Sequence, residues 1–235
     1  MTDIPWHLLQ AEGTCETVHN VRLSDCTGAP LALTCRKPAQ GVITVIVVFC
    51  HGLGSNGQAY GRLTGTWAAR GYVVIHPTFP DAIESVARAE PDLGLNPDNQ
   101  DLSEWTALPN VRTRMHETLH APSFWLRRLA MVARIADEMD EVLRQIRVTV
   151  RDLPWVIAGH SFGAYTAQLV AGAEIDFPGQ QAQSFCDDRF AAAIALSGQG
   201  RAQQGLRHGS WDRVFGPMRT VTGTRDGGPL GQDWR

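Results

Sequence analysis

The chain has 235 residues, with 21 Lys plus Arg against 24 Asp plus Glu, a formal charge of −3. A chain of this length buries roughly 70–75% of its unfolded surface, and a 43% hydrophobic content supplies a core that a disordered chain lacks. The mild acidity, with no run of Lys or Arg, argues against a nucleic-acid surface. The longest apolar run, Val42 to Cys50, falls far short of the ~20 residues a membrane helix needs, and the first seven residues lack the basic start and apolar stretch of a signal peptide.

In chain order, Val18 to Leu23 and Leu31 to Lys37 read as two short strands around the turn Thr27-Gly28-Ala29-Pro30. Val42 to Phe49 is a near-continuous β-branched run, the pattern of a strand buried on both faces. Tyr60 to Arg70 has helical spacing and stops at Gly71. Tyr72 to His76 is a second buried strand, closed by Pro77. A polar stretch from Asp81 to Pro122, with prolines at 91, 97, 109 and 122, is too long for an ordinary connector and reads as a lid or pocket wall. Ser123 to Leu143 reads as one helix, with Ser123 as its cap and apolar residues at Leu126, Leu129, Ala130, Ala133 and Ala136. Trp155 to Ala158 is a strand, Phe162 to Ala171 a helix, and Phe190 to Leu196 and Met218 to Thr222 are the last strands. Gln180, Gln181 and Gln183 fall in a polar loop. Strand and helix alternate, so the expected class is α/β with a mainly parallel sheet in a single domain spanning residues 1–235.

The five cysteines, at 15, 26, 35, 50 and 186, have irregular spacing and no C-x-x-C pair, which gives no zinc or redox motif. Cys50 ends an apolar strand and reads as a buried thiol. Cys26 and Cys35 flank the Gly-Ala-Pro turn, but without a leader the chain reads as cytoplasmic, where a disulfide between them is disfavoured.

Three motifs carry chemistry. Gly159-His160-Ser161-Phe162-Gly163 stands between the Trp155–Ala158 strand and a small-residue helix. G-x-S-x-G alone is a weak signal, but strand–turn–helix is the context that holds a serine on a strained elbow as a nucleophile. The bland alternative is a structural serine in a Gly-rich turn. His51-Gly52-Leu53-Gly54 follows the Val42–Phe49 strand. Acyl transfer needs two preorganised donors for an oxyanion, and the amides of Phe162 and Leu53 are the pair this order offers. His51 itself reads as a structural hydrogen-bonding residue. Thr222-Gly223-Thr224-Arg225-Asp226-Gly227-Gly228 follows the last strand, and Asp226 is placed to orient a histidine. A polar turn is the alternative there. Asp187, Asp188 and Asp212 are weaker rivals for the acid.

With these motifs in this order, the chain resembles the α/β-hydrolase superfamily, in its dienelactone-hydrolase-like and platelet-activating-factor-acetylhydrolase-like branch. The resemblance rests on Phe49-Cys50-His51-Gly52-Leu53-Gly54-Ser55, on the Ser161 elbow and on Gly223-Thr224-Arg225-Asp226, and runs from about Val18 to the C-terminus. It implies an oxyanion hole at Leu53 and Phe162, a nucleophile at Ser161 and an acid at Asp226. Dienelactone hydrolase proper uses a cysteine nucleophile; the serine here does not imply lactone chemistry. The resemblance also places a histidine after the acid, yet none of the eight His follows Asp226. His208 is the only histidine after the elbow, and His116 and His120 lie beside the expected lid. The expectation is a chain that lacks its last strand, helix and base, the histidine lying beyond residue 235.

The function expected of the complete protein is hydrolysis of small carboxylic esters through an acyl-enzyme. It requires no cofactor and no metal, and its partner is a small-molecule ester substrate. Trp105, Trp125 and Phe79 are candidate pocket residues. The alternative is a non-catalytic binding protein of the same fold.

Overall fold

The computed structural model describes residues 13–24, 28, 30–96, 98, 107–150 and 152–223. A seven-stranded sheet organises them. Its strands are β1 (Cys15–Ser24), β2 (Pro30–Pro38), β3 (Val45–Cys50), β4 (Tyr72–Pro77), β5 (Trp155–His160), β8 (Phe190–Leu196) and β9 (Met218–Val221), in the order β1-β2-β4-β3-β5-β8-β9. The five strands from β4 to β9 are parallel, while β1 and β2 form an antiparallel hairpin that joins β4 antiparallel. The helices are α1 (Gly61–Ala68), α2 (Ile83–Ala89), α3 (Pro109–His120), α4 (Pro122–Asp137), α5 (Met139–Gln145) and α6 (Phe162–Val170). This is the mainly parallel α/β sheet with flanking helices that the alternation predicts.

The central strand shows why the sheet is buried on both faces. Successive side chains of a strand point to opposite sides. Val47 and Phe49 pack with Trp67 and Tyr60 from the α1 side, whereas Ile46 and Val48 join Val132, Ile135, Tyr165 and Leu169 from α4 and α6. The strand begins only at Val45, because Val42 is 79% exposed and outside the sheet. At the β1 edge, the Gln145 side chain accepts from the Arg22 amide (3.2 Å) and donates to the Arg22 carbonyl (3.1 Å). That pairing occupies one of the open backbone positions of an edge strand.

Two expectations need correction. The helix read as Ser123–Leu143 is two helices, broken at Glu138 (φ −106°, ψ 22°), and Pro122 occupies the first turn with no side-chain cap from Ser123. Both pieces share one apolar stripe, so periodicity does not reveal the break. The glutamine-rich loop is a strand, β7 (Gln180–Gln183), paired antiparallel with β6 (Ile175–Phe177); its side chains remain largely exposed. In the stretch from Asp81 to Pro122, the described residues include α2, a 3-10 turn at Pro91–Leu93, and α3. It packs a small core of its own from Ile83, Val86, Ala87, Leu95 and Val111. Cys15, Cys35, Cys50 and Cys186 are free thiols, and Cys26 lies outside the described residues. Burial pushes the thiols of Cys35 and Cys50 up to about 12, which leaves them protonated and unreactive at neutral pH. Among the described residues no helix is long and apolar enough to cross a membrane.

Candidate active site

Ser161 sits between the end of β5 and the start of α6 with φ 52° and ψ −119°, a conformation that costs a non-glycine residue of order 1–3 kcal/mol. The surroundings hold it there. Its amide donates to the Leu196 carbonyl of β8 (2.9 Å), and its carbonyl accepts from the Tyr165 amide inside α6 (3.0 Å). The flanking glycines permit the fit. A Cβ at Gly159 would overlap the Gly163 carbonyl, and one at Gly163 would overlap the carbonyls of Cys50 and His51. The elbow is therefore pressed directly against the end of β3. Phe162, the next residue, is fully buried and begins α6, where amides face outward and favour negative charge.

The loop after β3 approaches from the other side. Of the amides of residues 52 to 55, Gly52 donates to the Tyr60 hydroxyl (3.0 Å), Gly54 to Asp81 Oδ2 (3.3 Å) and Ser55 to the Gly52 carbonyl (3.1 Å). Among the described residues the Leu53 amide has no hydrogen-bond partner. Tyr60 ties this loop to the elbow, since its hydroxyl also lies 3.0 Å from Nδ1 of His160. The structure thus brings Ser161, Phe162 and the Leu53 loop together, while Asp226 and Trp105 lie outside the described residues.

The histidines fall into distinct places. His51 is fully buried, with Nδ1 2.7 Å from the Gly52 carbonyl and Nε2 accepting from the Phe79 amide (2.9 Å). Burial, and then the Arg128 charge, hold its pKa down at about 4, so it is neutral at pH 7 with both nitrogens engaged. His116 and His120 stack on α3 with ring centroids 4.2 Å apart. His208 is exposed near Ser210, whose carbonyl accepts from the Glu174 amide. That is beyond the C-terminal end of α6, about 13 Å along the helix from the end that carries Ser161. Asp187 pairs with Arg189 ahead of β8, at the end of the sheet away from Ser161. Asp188 and Asp212 are exposed. Trp125 donates to the Leu119 carbonyl (3.0 Å) and stacks edge-on against Tyr165, and Phe79 is fully buried, so both are core residues rather than exposed pocket walls.

Sequence reasoning missed an ion pair against the loop after β3. Arg128 of α4 and Asp81, each 1% exposed, meet through Nε–Oδ1 (2.9 Å) and Nη2–Oδ2 (2.5 Å). Burial alone would raise the Asp81 pKa; the Arg128 charge beside it overrides this and holds the carboxyl below its usual 3.8. A signal for this was present: Arg128 falls on the apolar face of α4, in register with Trp125, Leu129, Val132 and Ile135, and a charge there demands a partner.

A cavity of about 500 Å³ lies elsewhere, lined by Ile46, Trp155 and Ala191 at the N-terminal ends of β3, β5 and β8 and by Leu143 and Arg189. Open α/β sheets bind their ligands at the opposite, C-terminal ends of the strands, where Ser161 stands, so the geometry of the elbow outweighs the size of this cavity.

The model of the family described as platelet-activating factor acetylhydrolase, isoform II, matches residues 37–198, more than half of the chain and a span that includes both the Leu53 loop and the elbow. The chain belongs to this family. Among solved structures, a Klebsiella pneumoniae protein described as a dienelactone hydrolase aligns over 90% of this chain and 86% of its own, with TM-score 0.55 and 11% identity. S-formylglutathione hydrolase (FrmB) from Staphylococcus aureus aligns over 90% and 78%, with TM-score 0.50 and 16% identity. The acylaminoacyl peptidase of Pyrococcus horikoshii aligns over 94% of this chain but 34% of its own, with TM-score 0.51 and 17% identity. At these identities the likenesses show the α/β-hydrolase fold. No curated protein sequence matches the chain. The acetylhydrolase family and the fold agree with the resemblance, and the matched span holds two of its three motifs, the Leu53 loop and the Ser161 elbow.

Proposed function

We propose that the protein is a serine esterase acting on small carboxylic esters. Ser161 attacks the ester carbonyl as a histidine takes its proton, and Asp226 orients that histidine. The amides of Leu53 and Phe162 hold the oxyanion, the alcohol leaves, and water then hydrolyses the acyl-enzyme. Neither His51, with both nitrogens engaged, nor His160, whose Nδ1 is turned to Tyr60, suits the role of base. The observation that carries the reading is the backbone of Ser161, held at φ 52° between strand and helix with its elbow against the loop whose Leu53 amide is left unused. The family's acetylhydrolase description favours short acyl groups such as acetyl. Free thiols at Cys15, Cys35, Cys50 and Cys186 support a reducing compartment such as the cytoplasm.

The test is turnover of p-nitrophenyl acetate by the full-length wild-type protein and by its Ser161→Ala variant. The proposal expects turnover that the substitution lowers by several orders of magnitude, as loss of a triad serine does. Equal rates in the two proteins would refute it and leave a non-catalytic protein of the family.

A further inference from the structure

We infer that Arg128 and Asp81 are positioning residues that hold the oxyanion loop in its binding shape. The inference rests on the esterase reading above for its chemistry, but its geometry stands separately. Arg128 Nη1 donates to the His51 carbonyl (2.8 Å), two residues before Leu53. Asp81 Oδ2 accepts from the Gly54 amide (3.3 Å), one residue after it. The pair therefore grips the backbone on both sides of the Leu53 amide. The same guanidinium lies 4.4 Å from the ring centroid of Phe162, whose amide is the other proposed donor, and 4.4 Å from that of Phe79. Phe79 in turn donates its amide to His51. One buried cation thus contacts both halves of the proposed oxyanion hole.

A purely structural role explains this arrangement less well. Burying two charges costs solvation that their attraction only partly returns, and apolar replacements of similar volume are often neutral or stabilising. Here the hydrogen bonds left over after the pair forms go to the loop backbone around Leu53. A planar fork can serve the carboxylate and the His51 carbonyl at once; a lysine ammonium cannot match that geometry.

The experiment uses the full chain with two variants. Arg128→Lys keeps the charge and loses the fork. The double variant Asp81→Leu/Arg128→Met removes both charges and so leaves neither one buried alone. Each is followed by kcat and KM for p-nitrophenyl acetate and by amide hydrogen exchange of the 51–55 segment against β5. Deleting an oxyanion donor outright costs about 10²–10³ in kcat, so a displaced one should cost about 10- to 100-fold, with KM nearly unchanged. Exchange at 51–55 should rise about tenfold while β5 keeps its protection. Variants that fold and keep kcat within about twofold of wild type overturn the inference. If the wild type itself shows no Ser161-dependent turnover, the esterase reading fails. Exchange alone then decides the brace: raised uptake confined to 51–55 supports it, and unchanged uptake overturns it.

Discussion

The two halves of the proposed oxyanion hole are held in different ways. The elbow is local: Gly159, Ser161 and Gly163 lie within five residues, and its strain is contained by the strand before it and the helix after it. The loop around Leu53 is held from a distance, by Tyr60, by Asp81 and by Arg128, which is 77 residues from the His51 carbonyl it binds. A site can therefore combine a part written into consecutive residues with a part that exists only once the chain has folded.

Breaking the distant half should give the largest loss of stability. Arg128→Ala leaves the Asp81 carboxylate buried without its partner, and unfolding measured in urea should show a loss of about 3–5 kcal/mol. A loss below about 1 kcal/mol would mean the pair is not coupled to the fold. Breaking the local half acts through sterics instead. Gly163→Ala sets a methyl group into the carbonyls of Cys50 and His51. It should cost about 1–3 kcal/mol, and esterase activity per folded molecule should fall with it; an unaffected activity would show that the elbow tolerates displacement.

Acid probes the buried polar layer as a whole. His51 takes a proton at about 4 in the folded protein against an ordinary 6.5, so the unfolded chain binds more protons between these values. Stability is then complete above pH 6.5 and falls as the pH drops toward 4, by up to about 1.4 kcal/mol per pH unit for one histidine. His76 is also held well below 6.5, by burial and then by the Arg36 charge, and it adds in the same direction. Asp81 contributes little in this window, because its ordinary pKa of 3.8 and its lowered folded value both lie below it. The urea midpoint at pH 5 should be clearly lower than at pH 7, and equal midpoints would contradict the assignment of His51 as buried and neutral. The smallest effect is expected at the link between the halves. Tyr60→Phe removes the hydroxyl that serves Gly52 and His160, for a loss of about 1 kcal/mol. A calorimetric melt that does not shift would show that the link carries no load.

This contrast also explains what the sequence disclosed. The elbow and the strand β3 were legible because glycine spacing and an unbroken β-branched run are properties of neighbouring residues. The break at Glu138 was not, because α4 and α5 continue the same apolar face. The pairing of β7 with β6 depends on a partner strand rather than on its glutamines. The Arg128–Asp81 pair was half-written: the lone charge on the apolar face of α4 announced a partner, but nothing near Asp81, in a Pro-Asp loop 47 residues earlier, named it.

The central claim is that Ser161 is an activated nucleophile facing preorganised amides. Labelling with a fluorophosphonate, followed by mass spectrometry of the labelled peptide, tests it most directly. The account predicts one adduct, on Ser161, that is lost in Ser161→Ala and slowed in Arg128→Lys. A folded wild-type chain that takes up no label, or carries it on another residue, would contradict it.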